Sequence, residues 1–357
     1  MEKEAIAKVF MEPESPFTTR SIGFPSLAEG ELLVKINFST ICTSDLHTFY
    51  GRRQSCSHSV LGHEIIGVIE KMSTEDMCDY YGNQLNIGDR ITWTIYAHDP
   101  NSINAKKGYP QKSKALYKYG HEQMNDAYQL NGGFASHCHL RKNTTLFKLP
   151  ENLSNLEAAP LNCTHATIAG ALRLAGELKN KNILVNGVGM LGLSACAMAK
   201  EGGAKNVWSQ DIDPKKASYS LKFGAKKAFI YGEDKIRSSS DPDGGIDIII
   251  ETSGNPEAIE HCLKLLAIGG TLVLVGSVFP QRDLSINGEY LVRNLLSIKG
   301  LHNYIPEDLA TAINFIKKAH LKYPFENLVG KTFNLQDLDE AFATAQNGGY
   351  YRIGILP

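Results

Sequence analysis

The chain has 357 residues, enough for two domains at about 150 residues each and for a substantial buried core. Hydrophobic residues make up 43% and charged residues 21%, a globular composition that excludes long disorder, collagen-like repeats and coiled coil. With 37 Lys and Arg against 38 Asp and Glu the formal charge is −1, which gives no bulk attraction to nucleic acid or to an anionic membrane, so partners must be recognised at sites.

The chain opens on Met1-Glu-Lys-Glu-Ala, which carries acids and no apolar run, so no secretory signal is expected. The first 150 or so residues are rich in Gly, Pro and short runs such as Glu31–Asn37, where apolar and polar residues partly alternate, and they predict an irregular β-rich domain. Within it, Lys106–Lys118 is a Lys-rich loop that reads as solvated surface. From about Leu156 strands and helices alternate: a strand at Asn182–Asn186, a helix at Met190–Glu201, a strand from Asn206 and a helix from Lys215 to Phe223. The rhythm continues with a buried strand at Ile246–Glu251, a helix at Pro256–Leu266 and a second buried strand from Thr271, so the sheet is predicted to be parallel. After Gly300 the texture is mixed again, with helices at Pro306–His320 and Leu335–Ala345, and this tail is expected to rejoin the first domain. The most apolar stretch, Ile183–Ala199, contains Asn186 and three glycines and is too short for a membrane span. Seven widely spaced cysteines, an odd number in a chain too large to need disulfide staples, point to a reducing compartment and a cytoplasmic location.

Gly187-Val-Gly-Met-Leu-Gly192 follows the strand and opens the helix, the context a dinucleotide fingerprint requires. Gly187 permits the tight turn and Gly189 lets the backbone approach a pyrophosphate. Gly192 packs the helix on the sheet, while the helix-start amides, at Met190 and Leu191, face the phosphates. Asp211 stands 19 residues after Gly192, at the end of the next strand, where a carboxylate binds ribose hydroxyls and repels a 2′-phosphate. NAD is favoured over NADP. Lys216 is close enough in sequence to assist a phosphate, with Asp213 adding charge of the opposite sign.

In the β-rich domain Cys42 and His63 stand about 20 residues apart, and Cys163 opens the apolar segment that leads to the second domain. Thiolate, imidazole and thiolate make a zinc-type set, and three protein ligands leave the fourth position for water or substrate, as in a catalytic site. Glu64, next to His63, reads either as a partner supporting a ligand or as an alternative ligand.

Taken in order, Cys42-Thr-Ser-Asp-Leu-His47, Gly62-His-Glu64, Gly88-Asp-Arg90, Gly132-Gly-Phe-Ala135, Cys163 and Gly187–Gly192 resemble the zinc-dependent medium-chain alcohol dehydrogenases over nearly the whole chain. The resemblance implies an α/β protein: a GroES-like β-rich catalytic domain, residues 1–155 and 301–357, split around a Rossmann domain with a doubly wound parallel sheet, residues 156–300, with the active site in the cleft between them. It implies that Cys42, His63 and Cys163 hold one catalytic zinc, that Ser44 receives the alcohol proton, and that His47 passes it to solvent through the nicotinamide ribose. The reaction is then hydride transfer between an alcohol and NAD, giving an aldehyde or ketone, with a small-molecule substrate, no nucleic-acid or membrane partner, and a homo-oligomeric assembly. Many relatives bind a structural zinc through four cysteines; here the matching positions are Asp99, Ser102, Ala105 and Ser113, so that second site is expected to be absent and its lobe to fold without metal.

A finer resemblance, carried by Gly108–Lys112, Lys118–Glu122, Leu130–Ala135, His137–His139 and Pro160–Cys163, is to the dehydrogenase subgroup associated with phosphonate metabolism. Arg52 and Arg53 fit it, since two guanidiniums beyond His47 would clamp a phosphonate or phosphate. Two competing readings share the fold: a zinc-free nicotinamide-dependent reductase, against which the retained Cys42, His63 and Cys163 argue, and a non-catalytic nucleotide-binding protein.

Overall fold

A computed structural model describes residues 3–53, 56–236 and 245–357. The chain divides into two units, Met1–Cys163 with Ile305–His320 and Phe325–Pro357, and Thr164–Tyr304 with Leu321–Pro324. The boundaries differ from those expected at 156 and 301 for local reasons. Residues 156–163 stay with the first unit, where the Asn162 side-chain oxygen accepts the Ile65 N–H at 3.4 Å. Leu321–Pro324 goes with the second, because the Tyr323 hydroxyl donates to Glu201 at 2.6 Å and its ring stacks on Phe223.

In the second unit six parallel strands run in the spatial order Lys227–Ile230, Asn206–Asp211, Asn182–Asn186, Ile246–Glu251, Leu266–Leu274 and Ser297–Gly300. The first strand in sequence lies inside and the order reverses beside it, which is the doubly wound arrangement that opens a crevice at the strand ends. Ile183, Leu184 and Val185 are wholly buried there, and each contributes about 1.5–3 kcal/mol of apolar burial. Gly192 is required at its position: a Cβ would stand 2.0 Å from the Gly187 carbonyl oxygen.

The first unit is β-rich. Leu32–Ile41, Glu64–Met72 and Arg90–Ala97 form the antiparallel centre of a sheet that Arg352–Leu356 extends on the far side of Leu32–Ile41. The C-terminal residues therefore lie in the middle of this unit: Ile353 pairs with Ile41, one residue before Cys42. Cys138 packs inward with Val34 and Trp93, as the alternation of its strand predicts. His137 and His139, on the other face, are buried as well, each with its Nε2 2.9 Å from a carboxylate oxygen, of Glu70 and Glu31 respectively. Among the described residues no helix is long and apolar enough to cross a membrane.

Candidate active site

Strand Leu32–Ile41 delivers its next residue, Cys42, to the start of the short helix Thr43–Phe49. Asp45 fixes that start. Its Oδ2 accepts the Cys42 N–H at 2.8 Å, its Oδ1 accepts the Gly62 N–H at 3.3 Å, and Oδ1 also stands 3.1 Å from His63 Nδ1. One wholly buried carboxylate thus caps the helix, ties down the loop before His63 and orients its imidazole, leaving Nε2 as the ligand atom. Cys163 follows the turn Ala159–Asn162. Ligand atoms of Cys42, His63 and Cys163 all lie within 4.8 Å of one another, and this is the one such group of His, Cys, Asp or Glu among the described residues.

The three side chains are electrostatically linked. The Cys163 thiol hydrogen-bonds Cys42, and together with the charges of Arg352 and His63 this holds the Cys42 thiol well below the ordinary range despite burial. The same hydrogen bond, with burial and the Cys42 charge, pushes Cys163 up. Burial opposes protonation of His63, but the Asp45 carboxylate raises it well above its usual value. Two soft sulfurs and one carboxylate-oriented imidazole fit zinc, with one coordination position left for another ligand.

Glu64 does not join this set. Its carboxylate takes Arg352 Nε at 2.7 Å and Nη2 at 2.9 Å and accepts the Thr40 hydroxyl at 2.5 Å, with both partners of the ion pair buried. Arg352 Nη2 also stands 3.4 Å from the Cys42 sulfur, so Glu64 acts on the site through a guanidinium and not as a ligand.

Ser44 is half-buried with its Oγ 3.3 Å from His63 Nε2, and His47 lies three residues on, along the same helix face. Burial and then the Arg52 charge lower the His47 pKa. The Arg52 and Arg53 backbone N–H groups donate to the His47 carbonyl at 2.8 and 3.1 Å; Arg52 is exposed and Arg53 half-buried.

At the four positions matching the structural-zinc cysteines, hydrogen bonds close the lobe. The Asp99 N–H donates to Ser113 Oγ at 3.2 Å, and Ser102 Oγ caps the helix Ile103–Lys106 through the Ala105 N–H at 3.3 Å.

In the second unit Gly187 has φ +86°, Gly189 caps the helix Met190–Glu201, and Met190 and Leu191 are its first residues. Asp211 Oδ2 accepts the Val188 N–H at 2.7 Å, so the acid sits against the glycine turn itself. The Lys216 side chain is exposed and its N–H lies 3.4 Å from the capping Asp213 carboxylate. A group not foreseen is Glu251. Buried and raised in pKa by that burial, it accepts the Ser253 and Gly254 N–H groups and the Asn186 amide, bracing the loop beside the glycine turn.

A family model described as the alcohol dehydrogenase GroES-like domain matches residues 28–151, and one described as zinc-binding dehydrogenase matches residues 190–318. An alcohol dehydrogenase of Geobacillus stearothermophilus is 29% identical over 96% of this chain and 96% of its own length. A sorbitol dehydrogenase of Halalkalibacterium halodurans is 26% identical over 93% of each. Among solved structures, an alcohol dehydrogenase of Thermotoga maritima superposes with a TM-score of 0.93 at 23% identity, covering 99% of this chain and 100% of that one, a likeness of fold.

Proposed function

Since the chain belongs to the zinc-dependent medium-chain alcohol dehydrogenases, we propose that it transfers a hydride between NAD and an alcohol bearing a phosphonate or phosphate group, giving an aldehyde or ketone. The observation that carries the dehydrogenase reading is the convergence of Cys42, His63 and Cys163 with Asp45 behind the imidazole. When bound, zinc supplies a Lewis acid that polarises oxygen, and NAD supplies the hydride acceptor. Ser44 Oγ takes the substrate hydroxyl proton as it gives up its own hydroxyl proton, the carbinol hydrogen leaves with its electron pair, and His47, held below its usual pKa by burial, passes the released proton to solvent. Arg52 and Arg53 bind the anionic end of the substrate, and the hydrogen bonds of their backbone N–H groups to the His47 carbonyl, which tie their turn to the end of that helix, support this role. The test is NAD reduction by alcohols matched in length, with and without a phosphonate group; equal kcat/KM for both sinks the anionic substrate while leaving the dehydrogenase.

Asp211 selects NAD by accepting from the ribose hydroxyls. Asp211→Gly is expected to raise KM for NAD at least about tenfold and to narrow the preference over NADP; an unchanged ratio of the two would place the ribose elsewhere.

The protein assembles as a homo-oligomer through the outer strand Ser297–Gly300. Ile268, Val292 and Leu295 are at least 70% exposed on the neighbouring segments, which supports an edge covered by a second copy. Sedimentation of Val292→Asp with Leu295→Asp is expected to give a smaller species than the wild type, and identical masses would exclude this edge. We assign the two units the roles of catalytic and NAD-binding domain. The location is cytoplasmic, supported by seven cysteines that form no disulfide.

A further inference from the structure

Asp99, the first of the four positions matching the structural-zinc cysteines, lies on the wall of a cavity of about 480 Å³ in the first unit. Glu31, Tyr117, Glu122, Tyr128 and Arg141 line it as well, and none of them belongs to the group of Cys42, His63 and Cys163. The volume falls within the range of small-molecule pockets, about 300–1,000 Å³.

Arg141 is the fixed group on these walls. Its guanidinium lies 4.6 Å from the Tyr117 ring centroid and 4.4 Å from that of Tyr128. The two rings, 5.7 Å apart and tilted by 56°, form an aromatic corner that receives the cation. The corner is itself braced, because the Tyr128 hydroxyl donates to Glu31 Oε1 at 2.6 Å and Glu31 Oε2 stands 2.9 Å from His139 Nε2. The Arg141 backbone is pinned too, its N–H donating to the Tyr119 hydroxyl at 2.9 Å and its carbonyl accepting the Thr144 hydroxyl at 2.8 Å. Arg141 is half-buried and forms no ion pair among the described residues. Its planar fork is thus held ready for a carboxylate that takes two N–H groups side by side.

The walls carry acids as well. Glu31 has both oxygens engaged, by Tyr128 and His139. Glu122 and Asp99 each accept one backbone N–H, of Lys118 and of Asn101, both at 2.9 Å, which leaves the second oxygen of each as an acceptor. Of the other lining groups, exposed Lys142 pairs with Glu29 at 3.2 Å, and burial lowers the pKa of His98, so that it adds no charge near neutral pH. One unpaired guanidinium on the same walls as two carboxylates with an oxygen to spare disfavours a dianion and suits a ligand that carries both signs.

We infer that this cavity binds a free α-amino acid, its carboxylate on Arg141 and its ammonium group on Glu122 and Asp99. The site stands apart from the reaction proposed above, since none of its residues is a metal ligand or a proton-relay group, and it needs neither zinc nor NAD.

The test uses the zinc-loaded full chain without NAD or alcohol. Thermal melts with each of the common L-amino acids identify the ligand. That amino acid is then titrated calorimetrically, beside the acid lacking its amino group and the amine lacking its carboxylate, into wild type, Arg141→Met, Arg141→Lys and, as a control, the exposed Lys107→Met. At least one amino acid is expected to raise Tm and to release binding heat in the wild type. Arg141→Met is expected to weaken that binding about tenfold or more, and so is removal of either charged group from the ligand, with Lys107→Met binding as the wild type does. Arg141→Lys keeps a cation over the rings without the planar fork; it too is expected to bind more weakly, and it carries the test if Arg141→Met does not fold. A wild type that binds no amino acid overturns the inference. So does undiminished binding in the Arg141 variants, which is the result that binding at the metal would give, and so does equal affinity for the acid or the amine alone.

Discussion

Cys163→Ala is expected to lose zinc and to cut alcohol oxidation by about a thousandfold or more, with NAD still bound. The reason is the count of ligands. Among the described residues Cys42, His63 and Cys163 are the one group of its kind, and Glu64, the nearest carboxylate in sequence, is committed to Arg352 and Thr40. Two ligands do not retain zinc in a site built for three. Removing the Lewis acid forfeits several kcal/mol of charge stabilisation, and each 1.36 kcal/mol is a factor of about ten in rate. The dinucleotide fingerprint lies in the other unit, on its own sheet, and its glycine turn has no need of the metal. Zinc analysis, single-turnover NAD reduction and NAD titration of the variant read these three quantities separately, and wild-type turnover in Cys163→Ala would refute a metal-dependent reaction.

Arg352→Met is expected to lower Tm by about 10 °C and to weaken zinc retention. Arg352 and Glu64 form a bidentate pair with 4% and 0% side-chain exposure, so removing the guanidinium leaves a carboxylate without its partner in a site water does not reach. Breaking a buried pair in this way costs about 3–5 kcal/mol, and about 2–4 °C of Tm accompanies each kcal/mol in a domain of this size. The same loss removes a positive charge from beside the Cys42 sulfur, which raises the thiol pKa and disfavours the thiolate a metal needs. The double variant Arg352→Met with Glu64→Leu replaces both charges by apolar groups and is expected to recover most of the Tm without recovering zinc affinity. Thermal melts and competitive chelation check the two parts. A single variant as stable as the wild type would mean that Glu64 is solvated or partnered otherwise.

What could be read in advance follows the distance over which each signal acts. The glycine fingerprint was legible because strand, turn, helix and acid are contiguous, and the packing that demands Gly192 lies within five residues. Asp45 was visible only as the third residue of a helix that Cys42 caps. Its grip on His63 depends on the loop at Gly62 folding back, which no local pattern encodes. Arg352 was illegible, because only the antiparallel pairing of Ile353 with Ile41 brings it to Cys42 across the chain. In the Lys106–Lys118 run the lysines at 106, 107, 112 and 114 are exposed as expected, and Lys118 is half-buried, just before the turn at Gly120 that packs against Gly62. The domain boundaries moved by a few residues at three places: residues 301–304 stay with the second unit, and at Asn162 and Tyr323 single side chains choose the unit to which a connecting segment belongs.

The central claim, a dehydrogenase with one catalytic zinc, is tested most directly by metal content per chain in protein purified without chelator, paired with NAD reduction by a panel of alcohols before and after metal removal. About one zinc per chain is expected, with turnover lost on its removal and restored on its return, and with the hydrogen-bonded lobe around Asp99 and Ser113 unaffected. Full turnover in protein stripped of zinc would contradict the account.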